Sequence, residues 1–556
     1  MDEVDKFQNN ILKNYKNYKL TKKNPSFNLL CFPDKFTYQL PQLFVSNFIN
    51  PKTDYKGLLI FHKIGAGKTC AAIQIAEQWK NNKKIIITCP KSLVNNFYKE
   101  IRSECTGNIY VSNSERNKLN TLDIYSTEYK NLINTINNKI NKKYNIYSYN
   151  KFIELIENKE INLNNSLLII DEIQNLVSEF GIYYKIIYDA IKKTSSSFRI
   201  VIMSATPIFD KPMELGRTLN LLKPKKEFPV GQHFNDEFLD INIINNKPIL
   251  NIKNADKLKL MLNGLVSYYK GAPDYVFPKK IIKIVKCPMS KYQYNCYKII
   301  EKKEGNIDKL ELFKLPTNFF LGSRILSNIA YPNKYVNQQG LDALDNNNMK
   351  LHNLKKYSTK FYYILKKILK SKGTIFIYSN FKEFGGLLPF IKILEYYNFS
   401  NFLKYGEGKK RFAIFSGNEN INDKEKIRTV FNDINNVNGY KLKIILGSPA
   451  CKEGVSFLRV KQVHIIDVYW NMSRIEQVIG RAVRFCSHKD VEPDERYVKV
   501  YLYLSTVPKD KTKKKNKKKT IDQYIYEMAQ NKKIISDKFE KVIIDASIDK
   551  KLFTDI

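Results

Sequence analysis

Residues 65–69 read Gly65-Ala66-Gly67-Lys68-Thr69, directly after the apolar run 58–61 and directly before a helical pattern over 70–79. Two glycines allow a loop to turn backbone N–H groups toward phosphate oxygens, and the following helix adds the positive end of its dipole. Lys68 can reach the β and γ oxygens of a nucleoside triphosphate, and the Thr69 hydroxyl suits a magnesium ion. His62 stands where the usual phosphate-loop pattern has its first glycine, so the strand–loop–helix context carries the assignment. About one hundred residues on, another apolar run (167–170) delivers Asp171 and Glu172. Carboxylates at the C-terminal end of a buried strand suit metal and water chemistry. Asp171 is expected to hold magnesium through water, and Glu172 to polarise the water that attacks the γ-phosphate.

Three further groups could couple that hydrolysis to something else. Ser204-Ala205-Thr206-Pro207 follows the strand-like run 200–203, and the small hydroxyls of Ser204 and Thr206 could bridge the acidic motif to a second lobe. Far downstream, Gln477, Arg481 and Arg484 are expected on one face of a helix over 475–485. A guanidinium fork matches phosphate oxygens in a bidentate way, so these arginines are read as reaching the nucleotide from a second domain. The competing reading is a solvated basic helix. For nucleic acid, the loop positions Lys91 and Ser92, Ser148 and Tyr149, and Ser448 with Lys452 offer donors and cations to backbone phosphate. Gly454, in the same loop as Lys452, is grouped with the nucleotide-binding residues.

These motifs need elements that place them at one edge. Short β-branched runs recur at 58–61, 85–88, 167–170 and 200–203, and again at 375–378, 413–415, 444–446, 463–466 and 498–502. Runs of this kind suit parallel strands covered on both faces. Each set makes one α/β domain, residues 36–225 and 350–506, preceded by an extension over 1–35. Residues 226–349 read as a mostly helical insertion, and 113–143 as a polar excursion. Residues 507–556 hold a Lys-rich tract (511–519), then helical periodicity.

Composition bounds the partners. The 93 Lys and Arg against 54 Asp and Glu give a formal charge of +39, which points to a polyanionic partner. An AT-rich coding sequence would also inflate lysine. The eight cysteines show no metal-ligand spacing, so neither zinc nor a disulfide is expected, and Cys70, Cys89 and Cys451 read as small core residues. No apolar run reaches the roughly 18 residues of a membrane helix, and the acidic, polar N-terminus does not read as a signal peptide.

The order GAGKT, CPKS, DEIQ, SATP, IFSG, EGVSF and QVIGRAVR resembles superfamily 2 helicases and translocases. The context of the first and last motifs is similar to ATPases of large cytoplasmic DNA viruses, namely viral nucleoside triphosphatase I and the small subunit of the poxvirus early transcription factor. The resemblance covers nearly the whole chain and is weakest over 113–143 and 226–280. It implies two tandem RecA-like parallel-sheet lobes, an ATP-binding helicase domain and a helicase C-terminal domain, with ATP and Mg2+ as cofactors. It also implies that Gln42 reads adenine. DEIQ departs from the DEAD and DEAH forms at Gln174, which leaves the coupling of hydrolysis to strand separation open.

The function so implied is ATP-dependent translocation on DNA or RNA in virus-encoded transcription. A virus-encoded RNA polymerase would be the partner, and the host cytoplasm and the virion the locations. A replication or repair helicase, a non-catalytic helicase-fold subunit of a polymerase and a restriction-type motor are the alternatives.

Overall fold

The computed structural model describes residues 3–553 apart from 22–24, 64, 124–125, 178–182, 225–226, 245–246, 306–318, 453–454 and 509–518. The chain divides into two compact units, Met1–Ala272 with Ile534–Ile556, and Pro273–Lys533.

The first unit is built on a parallel six-stranded sheet. Its strands are β1 (Gly57–His62), β2 (Lys84–Cys89), β3 (Tyr144–Ser148), β4 (Ser166–Asp171), β5 (Arg199–Met203) and, after a two-stranded hairpin of β6 (Leu239–Ile244) and β7 (Lys247–Ile252), β8 (Val266–Tyr269). The order is β3-β2-β4-β5-β1-β8, and every pairing within it is parallel. All six residues of β1 are buried, and full burial of each Leu, Ile or Phe there contributes about 1.5–3 kcal/mol. The helix Lys68–Trp79 is apolar on most of its circumference because it lies between this sheet and the helix Leu40–Phe48. Ile548, Leu552 and Phe553 complete the same core.

The second unit holds a parallel seven-stranded sheet of β9 (Lys279–Pro288), β10 (Thr374–Tyr378), β11 (Ser400–Asn401), β12 (Arg411–Phe415), β13 (Ile444–Gly447), β14 (Val460–Ile465) and β15 (Tyr497–Thr506), in the order β11-β12-β13-β10-β14-β15-β9. Every run expected as a strand is one. Residues 226–349, read as one mostly helical insertion, are shared between the two units and supply helices, the β6–β7 hairpin, and β8 and β9, an edge strand for each large sheet. Residues 113–143 form the helices Asn113–Thr121 and Thr127–Asn141. No helix among the described residues is long and apolar enough to cross a membrane.

A buried polar chain crosses the second unit. Lys360 Nζ lies 2.6 Å from Asp522 Oδ2, and both side chains are buried. Lys360 also donates to Asn328 Oδ1 at 2.8 Å, and Asn328 Nδ2 reaches Asp467 at 3.4 Å. Removing one partner of a buried pair strands the other charge, at about 3–5 kcal/mol. Asp522→Ala is therefore expected to lower the urea midpoint of the full chain by that equivalent, and the double change Lys360→Met, Asp522→Leu to lower it less. Equal losses in both variants would mean that the pair is not what holds this region.

Candidate nucleotide site and nucleic-acid face

The lobe-one motifs all lie at the C-terminal ends of the strands. β1 runs into the phosphate loop, and Gly65 (φ 84°) and Gly67 (φ 63°) both take left-handed conformations that favour glycine. A Cβ on Gly67 would sit 2.3 Å from Gln42 Nε2, so a side chain there would push Gln42 off the loop and would also strain the left-handed backbone. Ala66 is buried, while Lys68 and Thr69 are half-buried at the start of the helix. Lys68 Nζ donates to the His62 carbonyl at 2.9 Å. Gln42 is buried and has two duties. Its Oε1 accepts from Gln39 N at 2.8 Å, and its Nε2 donates to the Gly67 carbonyl at 3.1 Å. Whatever it does for adenine, it holds the phosphate loop.

Asp171 ends β4 and is buried, with Oδ1 accepting from Glu172 N at 3.0 Å. Glu172 has φ 55°, a left-handed conformation that costs a non-glycine residue about 1–3 kcal/mol. The Tyr149 hydroxyl braces this turn, donating to the Asp171 carbonyl and lying 3.1 Å from the Glu172 carbonyl. Tyr149, expected to touch nucleic acid, is thus buried beneath the acidic motif, because its helix Tyr149–Glu157 turns that face toward the sheet.

Gln174 is the residue whose role the motif left open. It is buried, its Nε2 donates to Glu172 Oε2, and its Oε1 accepts from Ser204 Oγ at 2.8 Å. Ser204 Oγ in turn accepts from Thr206 N at 2.9 Å. A continuous hydrogen-bonded line therefore joins the carboxylate to the motif after the neighbouring strand. Thr206 Oγ1 is buried without a partner among the described residues.

A second line supports the phosphate loop from behind, and sequence reading missed it. His62 Nε2 lies 2.9 Å from Ser267 Oγ, which donates to Asp549 Oδ2. Asp549 Oδ1 accepts from Tyr268 N at 2.9 Å. Burial, and then the Lys68 charge, lower the His62 pKa to about 3. Burial raises the Asp549 pKa to about 7 against its hydrogen bonds. Lys63 of the loop pairs with Glu540 at 2.8 Å and reaches the Ala205 carbonyl at 3.5 Å. Residues 534–556 therefore belong to the site's foundation.

The cysteines correct one expectation. Cys70 and Cys105 are joined in a disulfide, S–S 2.07 Å. The turn Glu104–Thr106 packs on the helix that follows the phosphate loop, where the Tyr38 hydroxyl donates to the Cys105 carbonyl at 2.9 Å. A separation of 35 residues carried no sign of this. Cys89 and Cys451 are buried free thiols.

On the nucleic-acid side, Lys91 and Ser92 are exposed in the turn after β2. Ser148, paired across from Cys89, caps its helix by accepting from Lys151 N. In the second unit Ser448 is buried after β13, and the turn Pro449–Lys452 follows. Gly454 lies outside the described residues, as does 511–518 of the Lys-rich tract.

The arginines differ from expectation in one respect. Their helix is Met472–Ile479, capped by Asn471, and it stops at Gly480. Arg481 and Arg484 sit in the turns beyond it. Both guanidinium groups converge on the Val455 carbonyl, at 3.2 and 3.3 Å, and Arg481 Nε also donates to the Gln477 carbonyl at 3.2 Å. Gln477, Arg481 and Arg484 are half-buried. Tyr469 and Trp470 stack on each other at 3.9 Å, with the Arg474 guanidinium over Tyr469.

Two parallel sheets with these motifs at their strand ends define a helicase-type ATPase, and comparison with known proteins gives the family. An SNF2-related domain model matches residues 12–341, and a helicase conserved C-terminal domain model matches 360–486. The chain belongs to the superfamily 2 helicases, in their SNF2-related group. It is 49% identical over 497 residues to R563 of Acanthamoeba polyphaga mimivirus, designated an ATP-dependent RNA helicase, covering 89% of this chain and 87% of that one. It is 25% identical to a termination factor NPH-I homolog of African swine fever virus, over 91% and 79% of the two chains. A SWI2/SNF2 ATPase core from Sulfolobus solfataricus, solved with dsDNA, aligns at 16% identity and a TM-score of 0.32, over 85% and 88%.

The raised Asp549 pKa makes a pH prediction. A carboxyl whose folded pKa lies above its unfolded one contributes stability below the unfolded value and loses it as pH rises through about 7. Asp549→Asn removes that ionisation. The stability of the variant relative to wild type, read from urea midpoints, is expected to climb from about pH 4 to about pH 7, by at most about 1.4 kcal/mol per pH unit, and then to level off. A difference that does not change with pH would show that this carboxyl does not titrate there.

Proposed function

We propose that the chain is an ATP-driven translocase on nucleic acid that serves virus-encoded transcription. The observation that carries this reading is the line Glu172–Gln174–Ser204–Thr206, which ties the carboxylate of the hydrolytic motif to the adjacent strand's loop. Such wiring suits a machine in which the state of the nucleotide is passed on as movement. Lys68 and the loop glycines hold the triphosphate. Gln174 engages one oxygen of Glu172, and the other orients the attacking water. Thr69, at the start of the helix after the phosphate loop, and Asp171, at the end of β4, are hard oxygen donors of the kind that fit a magnesium ion. That ion, when bound, neutralises phosphate charge. Arg481 and Arg484 are assigned to stabilising the transferring phosphoryl group, a role an arginine fork fills at about 10³–10⁵ in rate.

The process rests on the relatives. One is designated an RNA helicase and another a termination factor homolog, both viral. A virus-encoded RNA polymerase is the partner we assign, and the host cytoplasm and virion the locations. The basic composition suits an unspecific grip on backbone phosphate.

Lys68→Ala is expected to abolish nucleic-acid-stimulated ATP hydrolysis with weakened nucleotide binding. Glu172→Gln should keep binding and lose turnover. Wild-type turnover in both would remove the ATPase reading and leave a scaffold subunit. Arg481→Ala should bind ATP nearly as wild type yet lose most basal turnover, with little rescue by Arg481→Lys. Normal basal turnover with weakened strand binding would return the arginine to a surface role.

A further inference from the structure

Away from all of these motifs, the second unit has a cavity of about 360 Å³ lined by Tyr363, Lys366, Lys367, Lys370, Gln462 and Tyr501. Gln462 lies early in β14, and Lys370 caps the helix Thr359–Leu369 just before β10 begins. The loop after β13 that holds Ser448 is at the opposite end of the sheet.

The wall is built to offer donors. His464 is buried, and its pKa is lowered to about 3, by burial first and by Lys367 second, so the ring is neutral. Its Nδ1 lies 2.8 Å from the Tyr503 hydroxyl and its Nε2 lies 3.0 Å from Gln462 Oε1. A phenol donating to Nδ1 makes Nε2 the protonated nitrogen. The Gln462 oxygen is thereby occupied, and its NH₂ remains for a ligand. One face of Tyr501 is stacked on His464, and Lys367 Nζ sits 4.4 Å from its ring centroid. Tyr501 is therefore a rigid floor that places the ammonium.

Among the described residues, aromatic rings but no carboxylates face these cations. No carboxylate lines the cavity, and Lys366, Lys367 and Lys370 form no ion pair among the described residues. Burial, followed by Lys283 of β9 and then Lys366, lowers the Lys367 pKa. Like charges pressed together in this way are relieved by an anion.

We propose that this pocket holds a backbone phosphate of a bound nucleic-acid strand, as a contact additional to the motif side. A phosphodiester accepts hydrogen bonds and donates none, which matches three ammonium groups and an amide NH₂. The inference rests on the nucleic-acid binding proposed above. The bland alternative is that these lysines complement the C-terminal end of their helix, at about 0.3–1 kcal/mol each. That role needs neither Gln462 nor a cavity.

The two separate in the salt dependence of binding to a poly(U) oligonucleotide, measured with the full chain. Each neutralised phosphate on a single strand contributes about 0.7 to the log–log slope. Lys366→Glu with Lys370→Glu is expected to make the slope shallower by about that amount, with nucleic-acid-free ATPase unchanged. Should that variant fold poorly, Lys366→Ala with Lys370→Ala replaces it, and Lys366→Arg with Lys370→Arg should retain the wild-type slope. Gln462→Glu, nearly isosteric, turns the donor into a charged acceptor and should weaken binding about tenfold. An unchanged slope together with wild-type affinity in Gln462→Glu overturns the proposal. So does loss of tripolyphosphate binding without any change in strand binding, which would assign the pocket to a free polyphosphate. Wild-type protein that binds no strand would instead remove the nucleic-acid reading itself.

Discussion

A loop that turns its N–H groups toward a phosphate must satisfy its carbonyls on the other side. That requirement shapes the first unit. The Gly67 carbonyl takes Gln42 Nε2 and the Ala71 amide, and the His62 carbonyl takes Lys68 Nζ. The approach of Gln42 and the left-handed backbone together favour glycine at position 67. Behind the loop, a neutral histidine, a serine and a buried carboxyl continue the support into β8 and the residues near 549. The glycines thus give the loop freedom of conformation, and its neighbours then remove that freedom.

The acidic motif shows the same economy. Glu172 adopts a backbone conformation that non-glycine residues avoid. Three contacts hold it there: the Asp171 carboxylate on its amide, the Tyr149 hydroxyl on the carbonyls, and Gln174 on its side chain. Since Gln174 also accepts from Ser204, a displacement of either strand-end loop alters the hydrogen bonding of the carboxylate. The glutamine that departs from the commoner helicase spellings is therefore the joint between two motifs.

How much of this could be read from the residues follows from what each signal depends on. The strands β1, β2, β4, β5, β10 and β12 to β15 were legible because their β-branched runs are continuous and local, whereas β3 (YNIYS) and β8 (VSYY) are short and rich in tyrosine and serine. β9 was not legible either, since KKIIKIVKCP mixes lysine with isoleucine along a largely exposed edge. The positions of Lys68 and Thr69 at a helix start and of Asp171 at a strand end could be read because phosphate loops and acidic strand ends are contiguous in sequence. Ser267 and Asp549 were invisible, as their partnership spans 282 residues and neither belongs to a motif. Tyr149 was misplaced because loop position was taken for exposure, while its helix turns it inward. The arginine helix was drawn six residues past its true end, and Gly480 marks where it stops. The Cys70–Cys105 bond depends on tertiary packing alone.

The docking of residues 534–556 into the first unit has an outcome in time. Lys63 and its partner Glu540 are separated by 477 residues. At about 5–20 residues per second, a ribosome emits that partner on the order of a minute after the phosphate loop. Throughout that interval the first sheet exists without Ile548, Leu552 and Phe553 in its core and without a carboxylate behind Ser267. The intervening unit, Pro273–Lys533, by contrast has all of its strands in one continuous stretch. The order of assembly is thus opposite to the order of the motifs: the lobe translated second can close its core first, and the nucleotide-binding lobe becomes complete only when residues 534–556 arrive.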